Sequence, residues 1–352
     1  MGSLRRLAAV FLPLLVVPAA ALAAGSVHSW AQPQIKMVTR QGIFAGSPAT
    51  FDGSADLKAG ALATALTNLI GTPAPAPNDP TASISMEQLD RSLVDALGLR
   101  DSAYRFYRAA WAAGISPPRR FGTEVVARLL GLRLNHPAGQ DELELQPQQP
   151  ATRAEAAFSL AQILRFGSGD GDWWQRHSST ATETTDYASS WQVEQVKSAS
   201  TAFQLPELTP WQRRIIAAAF SYVGYPYVWG GTGESSVGFD CSGFVWRVYK
   251  LTAYPDEGDL AGVLRGRATM EMSGEVPRAK RIGIDDLQAG DVMFFGRGRR
   301  SKPAQVDHTA IYLGNGWLVQ SSGYGVTLAP FDGWYRSSFA WARRPLAEAG
   351  LA

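Results

Sequence analysis

The sequence predicts an α+β chain in two parts: a small, mainly helical repeat region, then a domain in which a cysteine-bearing helix packs on an antiparallel sheet. Three observations carry this. Apolar residues at helical spacing recur in short runs between about Ser26 and Phe166, with Gly and Pro between the runs. The stretch Gly238-Phe239-Asp240-Cys241-Ser242-Gly243-Phe244-Val245 sets the only cysteine in 352 residues at a helix start. Alternating segments at Asp291-Val292-Met293-Phe294-Phe295 and at His308-Thr309-Ala310-Ile311-Tyr312-Leu313 read as strands, the second running into a hairpin signature at Gly314-Asn315-Gly316.

A chain of this length exceeds one ordinary domain, and its 45% hydrophobic content suffices for more than one core. The first 23 residues read as a secretory signal: Arg5 and Arg6, an apolar run from Leu7 to Val17, and Ala21-Leu22-Ala23 as the cleavage site. That run is interrupted by Pro13 and too short for a membrane span. Removal of Arg5 and Arg6 from the 33 basic residues leaves as many basic as acidic side chains, since Asp and Glu together number 31. Such a balance gives no global basic field for nucleic acid. Exported proteins commonly pair their cysteines, so a lone cysteine there is either reactive or bonded between chains; taken alone, it is more often inert and buried.

In the helical region an internal echo is visible. Gln41-Gly42-Ile43-Phe44-Ala45-Gly46-Ser47-Pro48 precedes a helical run from Leu57 to Ile70, and Ala113-Gly114-Ile115-Ser116-Pro117-Pro118 precedes another from Thr123 to Leu132. A third unit begins at Leu145-Gln146-Pro147 and continues into a helix from Thr152 to about Leu164, with Thr152 as N-cap and Glu155 completing a capping box. Repeated helix pairs stack to bury a shared core. At these residues the region, 26–166, resembles the S-layer homology modules of bacterial envelope proteins. The resemblance implies that Arg153 and Glu155, the charged pair of a Thr-Arg-Ala-Glu helix start, hold cell-wall polysaccharide; the helix starts near Asp56 and Glu124 lack that pair, and a spacer or an interaction domain is the alternative.

Residues 167–207 shift to Gly, Ser, Thr and Asp and read as a linker, although Trp173, Trp174, Tyr187 and Trp191 favour packing of part of it on a neighbour. A second domain, 208–346, opens at Thr209-Pro210, an N-cap followed by proline at the first helical position. Phe244 and Val248, with Val245 and Tyr249, give the helix after Cys241 a buried face, so that its first turn can stay at a cleft. Gly243 lowers helix propensity, which a close neighbour passing the cysteine would explain. A thiol at a helix start is favoured as thiolate. It still needs an orienting base.

His28, His136 and His177 lie beside the cleavage site, in a loop and in the linker, whereas His308 is mounted on a strand in the same domain as the thiol. A third group must then hold the imidazole tautomer. Gln320 is the candidate, on one condition. A three-residue loop over 314–316 pairs Leu313 with Trp317 and sets Gln320 opposite Ala310, on the face carrying His308. A two-residue turn pairs Gly314 with Trp317 and sends Gln320 to the other face. No spacing of His, Cys, Asp or Glu suggests a metal, and no cofactor is expected. Two further features have no assigned role: the cationic loop Gly296-Arg297-Gly298-Arg299-Arg300-Ser301-Lys302-Pro303 and the insertion from Asp256 to Arg281.

Taken together, Tyr227-Val228-Trp229-Gly230-Gly231, Phe239-Asp240-Cys241-Ser242-Gly243-Phe244, Leu287-Gln288-Ala289-Gly290-Asp291-Val292, His308-Thr309-Ala310-Ile311-Tyr312-Leu313-Gly314 and Gln320-Ser321-Ser322 resemble, in order, the motifs of the NlpC family of papain-like cell-wall cysteine peptidases. The resemblance implies a papain-like fold and cleavage of peptidoglycan stem peptides, typically between D-isoglutamate and the diamino acid. It makes Cys241 the nucleophile, His308 the base and then acid, and Gln320 the orienter, where most members carry histidine. It also implies that Tyr227, Asp240 and Ser242 line the substrate site, the Asp/Ser pair holding the free amino end of the stem. Another thiol amidase or acyltransferase of the same fold, and a catalytically lapsed wall-binding protein, remain the alternatives.

Overall fold

The computed structural model describes residues 29–134, 145–166, 187–233, 238–254 and 260–351. The expected signal segment, His28, His136, His177, Trp173 and Trp174 lie outside the described residues.

Six helices build the N-terminal part: α1 (Gln32–Arg40), α2 (Ala59–Ile70), α3 (Met86–Ala96), α4 (Arg100–Ala112), α5 (Phe121–Leu129) and α6 (Arg153–Leu164). The residues ahead of α2, α3 and α6 meet in short bridges, Asp56 with Thr152, Lys58 with Ser83, and Ser85 with Pro150. The repeating helix starts therefore include Ser85, which forms a full capping box with Gln88. The sequence echo had placed the second unit at Thr123 instead; α5 begins at Phe121, close behind Pro117-Pro118.

Thr152 caps α6 as expected, accepting from the Glu155 N–H at 3.3 Å. Glu155 itself is only 3% exposed, and its carboxylate accepts from Arg133 at 2.8 Å. The Arg153 guanidinium lies over the Phe51 ring, 4.3 Å from its centroid, with Phe44 at 5.8 Å. The pair expected to hold polysaccharide is thus engaged within the helical region: one member is buried in an ion pair and the other rests on two rings.

The stretch read as a linker is partly folded. Helix α7 (Trp191–Ala202) buries Val193 and Val196, and Phe203 behind it packs edge-on against Trp317 at 5.1 Å and tilted against Phe106 at 5.2 Å. Of the aromatics that favoured packing, Tyr187 lies half-buried against the core. The C-terminal part follows with α8 (Pro210–Ser221), whose Thr209 N-cap and Pro210 fit the sequence reading, with Gln212 completing a capping box. Helix α9 (Cys241–Trp246) comes next and runs into one wider π-type turn, Arg247–Leu251.

Five antiparallel strands complete the domain: β1 (Val292–Phe295), β2 (His308–Gly314), β3 (Trp317–Ser322), β4 (Gly325–Pro330) and β5 (Phe339–Arg343), in the spatial order β4-β3-β2-β1-β5. Ahead of β1, Asp291 accepts from the Gln288 N–H at 2.8 Å and takes Arg344 through both carboxylate oxygens, at 2.8 and 2.9 Å. That bidentate pair fastens the start of β1 to the end of β5. Both faces of the sheet are covered. Val292, Phe294, Ile311 and Val319 share a core with Phe244, Val245 and Val248 of the cysteine helix, while Met293, Phe295, Ala310 and Leu318 face the other way with Tyr335 and Phe339.

The first of these cores continues without interruption into the helical region. Phe121 of α5 meets Phe220 of α8 with ring centroids 4.5 Å apart, so the two parts of the chain share one apolar interior.

Candidate active site

Cys241 is the first residue of α9. Asp240 precedes it as N-cap in an extended conformation (φ −80, ψ 175) and accepts from the Gly243 N–H. The reason for Gly243 is steric: a Cβ there would stand 1.8 Å from the Gly231 carbonyl oxygen, so only glycine lets the Gly230-Gly231 loop pass over the helix start.

The hairpin that carries the other two groups combines both of the registers considered. Gly314 pairs with Trp317 across a two-residue Asn315-Gly316 turn, with φ of 50° and 77°. Beyond it the pairing is Tyr312 with Leu318 and Ile311 with Val319, because a bulge at Leu313 takes up one residue. The bulge restores the parity that sets Gln320 opposite Ala310. Gln320 therefore shares a face with His308.

There the His308 Nε2–H donates to Gln320 Oε1, and the Gln320 amide N–H donates in turn to Tyr335 Oη, with Ser322 Oγ at 3.4 Å. With Nε2 committed, Nδ1 is the ring nitrogen left for the thiol, and Cys241 and His308 each shift the other's titration. Gln320 is 1% exposed, so water does not compete for this chain of contacts. Phe295 and Trp334 flank the imidazole at 5.7 and 6.0 Å, centroid to centroid.

The electrostatics follow from the pairing. Burial pushes the Cys241 thiol up, but the His308 hydrogen bond and charge, joined by a hydrogen bond to Thr269, outweigh it and leave the thiol below its ordinary value. Burial pulls His308 down, and the Cys241 hydrogen bond and charge, with Gln320 and Asp307 behind them, carry it above its ordinary value. Opposite shifts in touching groups favour a thiolate–imidazolium pair, the reactive form of a cysteine nucleophile.

Two residues that the sequence reading missed belong to this site. Thr269 Oγ1 lies 3.5 Å from Cys241 Sγ, which brings the insertion over the thiol. Tyr335, buried and with its phenol pushed up by that burial, orients the Gln320 amide. No spacing in the sequence links either residue to the cysteine.

The structure also alters the reading of Asp240 and Ser242. Arg267, from the same insertion, donates to Asp240 Oδ1 and Oδ2 at 3.2 and 3.3 Å, to Ser242 Oγ at 2.8 Å, and to the Gly230 and Gly231 carbonyls at 3.1 and 3.2 Å. Asp240 accepts in addition from Ser242 Oγ at 3.1 Å and from the Gly230 N–H at 3.0 Å. A carboxylate offers about four lone-pair sites. Asp240 is therefore saturated from within the protein, and a substrate ammonium would have to displace Arg267 to reach it. Tyr227 bridges in parallel with Phe239, which holds it beside the segment leading to Cys241. Its neighbour Trp229 is 83% exposed.

Comparison with known proteins bears on the same residues. The sequence pattern of the NlpC/P60 family matches residues 224–344. The chain is 32% identical over 117 residues to the gamma-D-glutamyl-L-lysine dipeptidyl-peptidase of Bacillus subtilis, covering 32% of this chain and 33% of that protein. It is 36% identical over 133 residues to the murein DD-endopeptidase MepH of Escherichia coli, covering 37% of this chain and 44% of that protein. Among solved structures, an NlpC/P60 family protein of Bacillus cereus is 30% identical, with 41% of this chain and 43% of that chain covered and a TM-score of 0.32. The chain thus spans a third to under a half of the length of these relatives. Residues 224–344, which hold Cys241, His308 and Gln320 around one helix start, form an NlpC/P60 domain.

Proposed function

We propose that the protein is a secreted peptidoglycan endopeptidase that hydrolyses stem-peptide amide bonds by a cysteine–histidine–glutamine mechanism, with the D-isoglutamyl to diamino acid bond as its target. The observation that carries this reading is the hydrogen-bonded chain from His308 through Gln320 to Tyr335, electrostatically paired with the helix-start thiol of Cys241, inside an NlpC/P60 domain. The relatives' names support the substrate class, and they include both a gamma-D-glutamyl-L-lysine peptidase and a DD-endopeptidase.

The mechanism is acyl transfer. The Cys241 thiolate attacks the amide carbonyl, and the backbone N–H groups at the start of α9 receive the developing oxyanion. His308, protonated at Nδ1 by the thiol, delivers that proton to the departing amine. The vacated nitrogen then takes a proton from water, which attacks the thioester and releases the acid. Gln320 keeps Nε2–H directed away from the reaction throughout. As a neutral amide it orients the ring without adding charge to stabilise imidazolium.

Incubating the protein with purified sacculi and identifying the products by mass tests the proposal. New amino termini on diamino acids are expected, and their absence in wild type overturns it. Freed side-chain amines on the diamino acid, paired with new D-alanine carboxyl ends, in place of freed α-amines, would move the target to the cross-bridge.

A further inference from the structure

We propose that the helical region is part of the frame of the active site, with Arg128 of α5 as a positioning residue for the Cys241–His308–Gln320 group. Arg128 is 4% exposed, and its two Nη atoms donate to the backbone carbonyls of Tyr324 and Gly224. Those carbonyls lie in the two loops from which the halves of the site are suspended.

The first loop leads to the nucleophile. After Gly224 the chain bonds to Phe239 on both sides, through Phe239 N–H to Pro226 O at 3.1 Å and Val228 N–H to Phe239 O at 3.1 Å, and Phe239 stands two residues before Cys241. The second loop leads back to Gln320, the group that orients the base. Ser322 Oγ accepts from Gln320 Nε2 and from Tyr324 N–H, both at 3.4 Å, while Ser321 Oγ donates to Phe239 O at 2.7 Å. The loops are also joined to each other, Gly224 N–H to Val326 O at 3.0 Å and Val326 N–H to Tyr225 O at 2.8 Å. One guanidinium fork therefore spans the two chains whose relative position sets the distance from thiol to imidazole. A planar fork can hold two carbonyls in fixed geometry, which a lysine ammonium cannot.

The backbone is shaped to admit this side chain. Gly325, at φ +75, would place a Cβ 2.4 Å from Tyr225 O and 2.6 Å from Arg128 Nη1. The charged groups around the fork are Glu124 on the same helix, 3.7 Å away, with Asp90 of α3, Arg133 and Arg120 beyond it. Burial and the nearby Asp90 push Glu124 up to about 8, so a neutral carboxyl faces Arg128 near neutrality and does not draw the guanidinium away from the carbonyls.

The inference rests on Cys241 and His308 being the reactive pair, and its test does not depend on the substrate. Cys241 is the only thiol in the chain, so alkylation by iodoacetamide, followed by intact mass across pH 5 to 9, reports its thiolate directly. In the full chain, Arg128→Ala is expected to raise the apparent thiol pKa by about one unit, slowing alkylation at pH 6 about tenfold. Hydrolysis of stem peptide should lose kcat with KM little changed, and Arg128→Lys should recover part of the alkylation rate. If Arg128→Ala does not fold, Arg128→Lys and Gly325→Ala, which pushes the fork aside with the arginine present, are expected to shift the profile in the same direction. A folded variant set with the wild-type alkylation profile overturns the inference. Altered alkylation in a protein that cleaves no stem peptide upholds it and removes the proposed substrate instead.

Discussion

Replacement of Gln320 by leucine isolates the contribution of the third group. The side chain is similar in size, but the His308 Nε2–H loses its acceptor and Tyr335 Oη loses its donor at a position that is 1% exposed. A buried polar group left without a partner costs about 1–3 kcal/mol. The cost rises when the imidazole becomes charged, so much of it falls on the transition state, and each 1.36 kcal/mol there is tenfold in rate. The expected loss is therefore about 10- to 100-fold in kcat. The pH profile should change as well. Reactivity needs pH above the thiol value, which lies below its ordinary 9.0, and below the imidazole value, which lies above its ordinary 6.5. Since Gln320 helps to raise His308, its loss moves the alkaline limb downward, whereas Gln320→Glu, which adds a charge beside the imidazolium, moves it upward. Initial rates on a defined stem peptide, run beside the alkylation profile, make the measurement. A Gln320→Leu protein with unchanged kcat and an unchanged alkaline limb would refute the reasoning.

Three other outcomes are expected. Gly243→Ala places a methyl 1.8 Å from the Gly231 carbonyl, so the loop must move off the helix start; activity should fall at least about 100-fold by the sensitivity of catalysis to small misplacements, with the circular dichroism retained, and wild-type rates would contradict this. Phe121→Ala removes one ring of the contact between α5 and α8 and should cost about 3–5 kcal/mol in one cooperative transition; a separate early transition of the helical region alone would show that the two parts do not share a core. Glu124, raised by burial from 4.5 to about 8, favours the fold in its neutral form, so its contribution is complete below pH 4.5 and is lost as pH rises through about 8. Melting temperatures across that window should fall more steeply for wild type than for Glu124→Gln, and parallel slopes would remove Glu124 as the cause.

Much of the site was legible because its parts are local. Asp240 caps the helix that Cys241 begins, and the apolar line of Phe244, Val245 and Val248 fixes which face is buried; both follow from spacing over a few residues. His308 could be singled out because the sequence around the other histidines carries no strand pattern. The hairpin marked the boundary of such reasoning. Parity stated the condition under which Gln320 faces His308, but the choice between an odd loop and an even turn was met by an even turn with a bulge at Leu313.

The rest depends on contacts between distant segments, for which no sequence spacing exists. Arg267 closes on Asp240 across 27 positions and Thr269 reaches Cys241 across 28, so the insertion gave no sign in the sequence that it pairs with Asp240 and approaches the thiol. Glu155 and Arg153 matched a surface-binding motif, yet burial and two aromatic rings engage them internally. The sequence by itself determined where the thiol and the imidazole are mounted, since a helix-start thiol and a strand-mounted imidazole need only local geometry. Tertiary structure decided which polar groups remain available to a substrate and joined the helical region to the active site, because burial and long-range hydrogen bonding are properties of the whole packing.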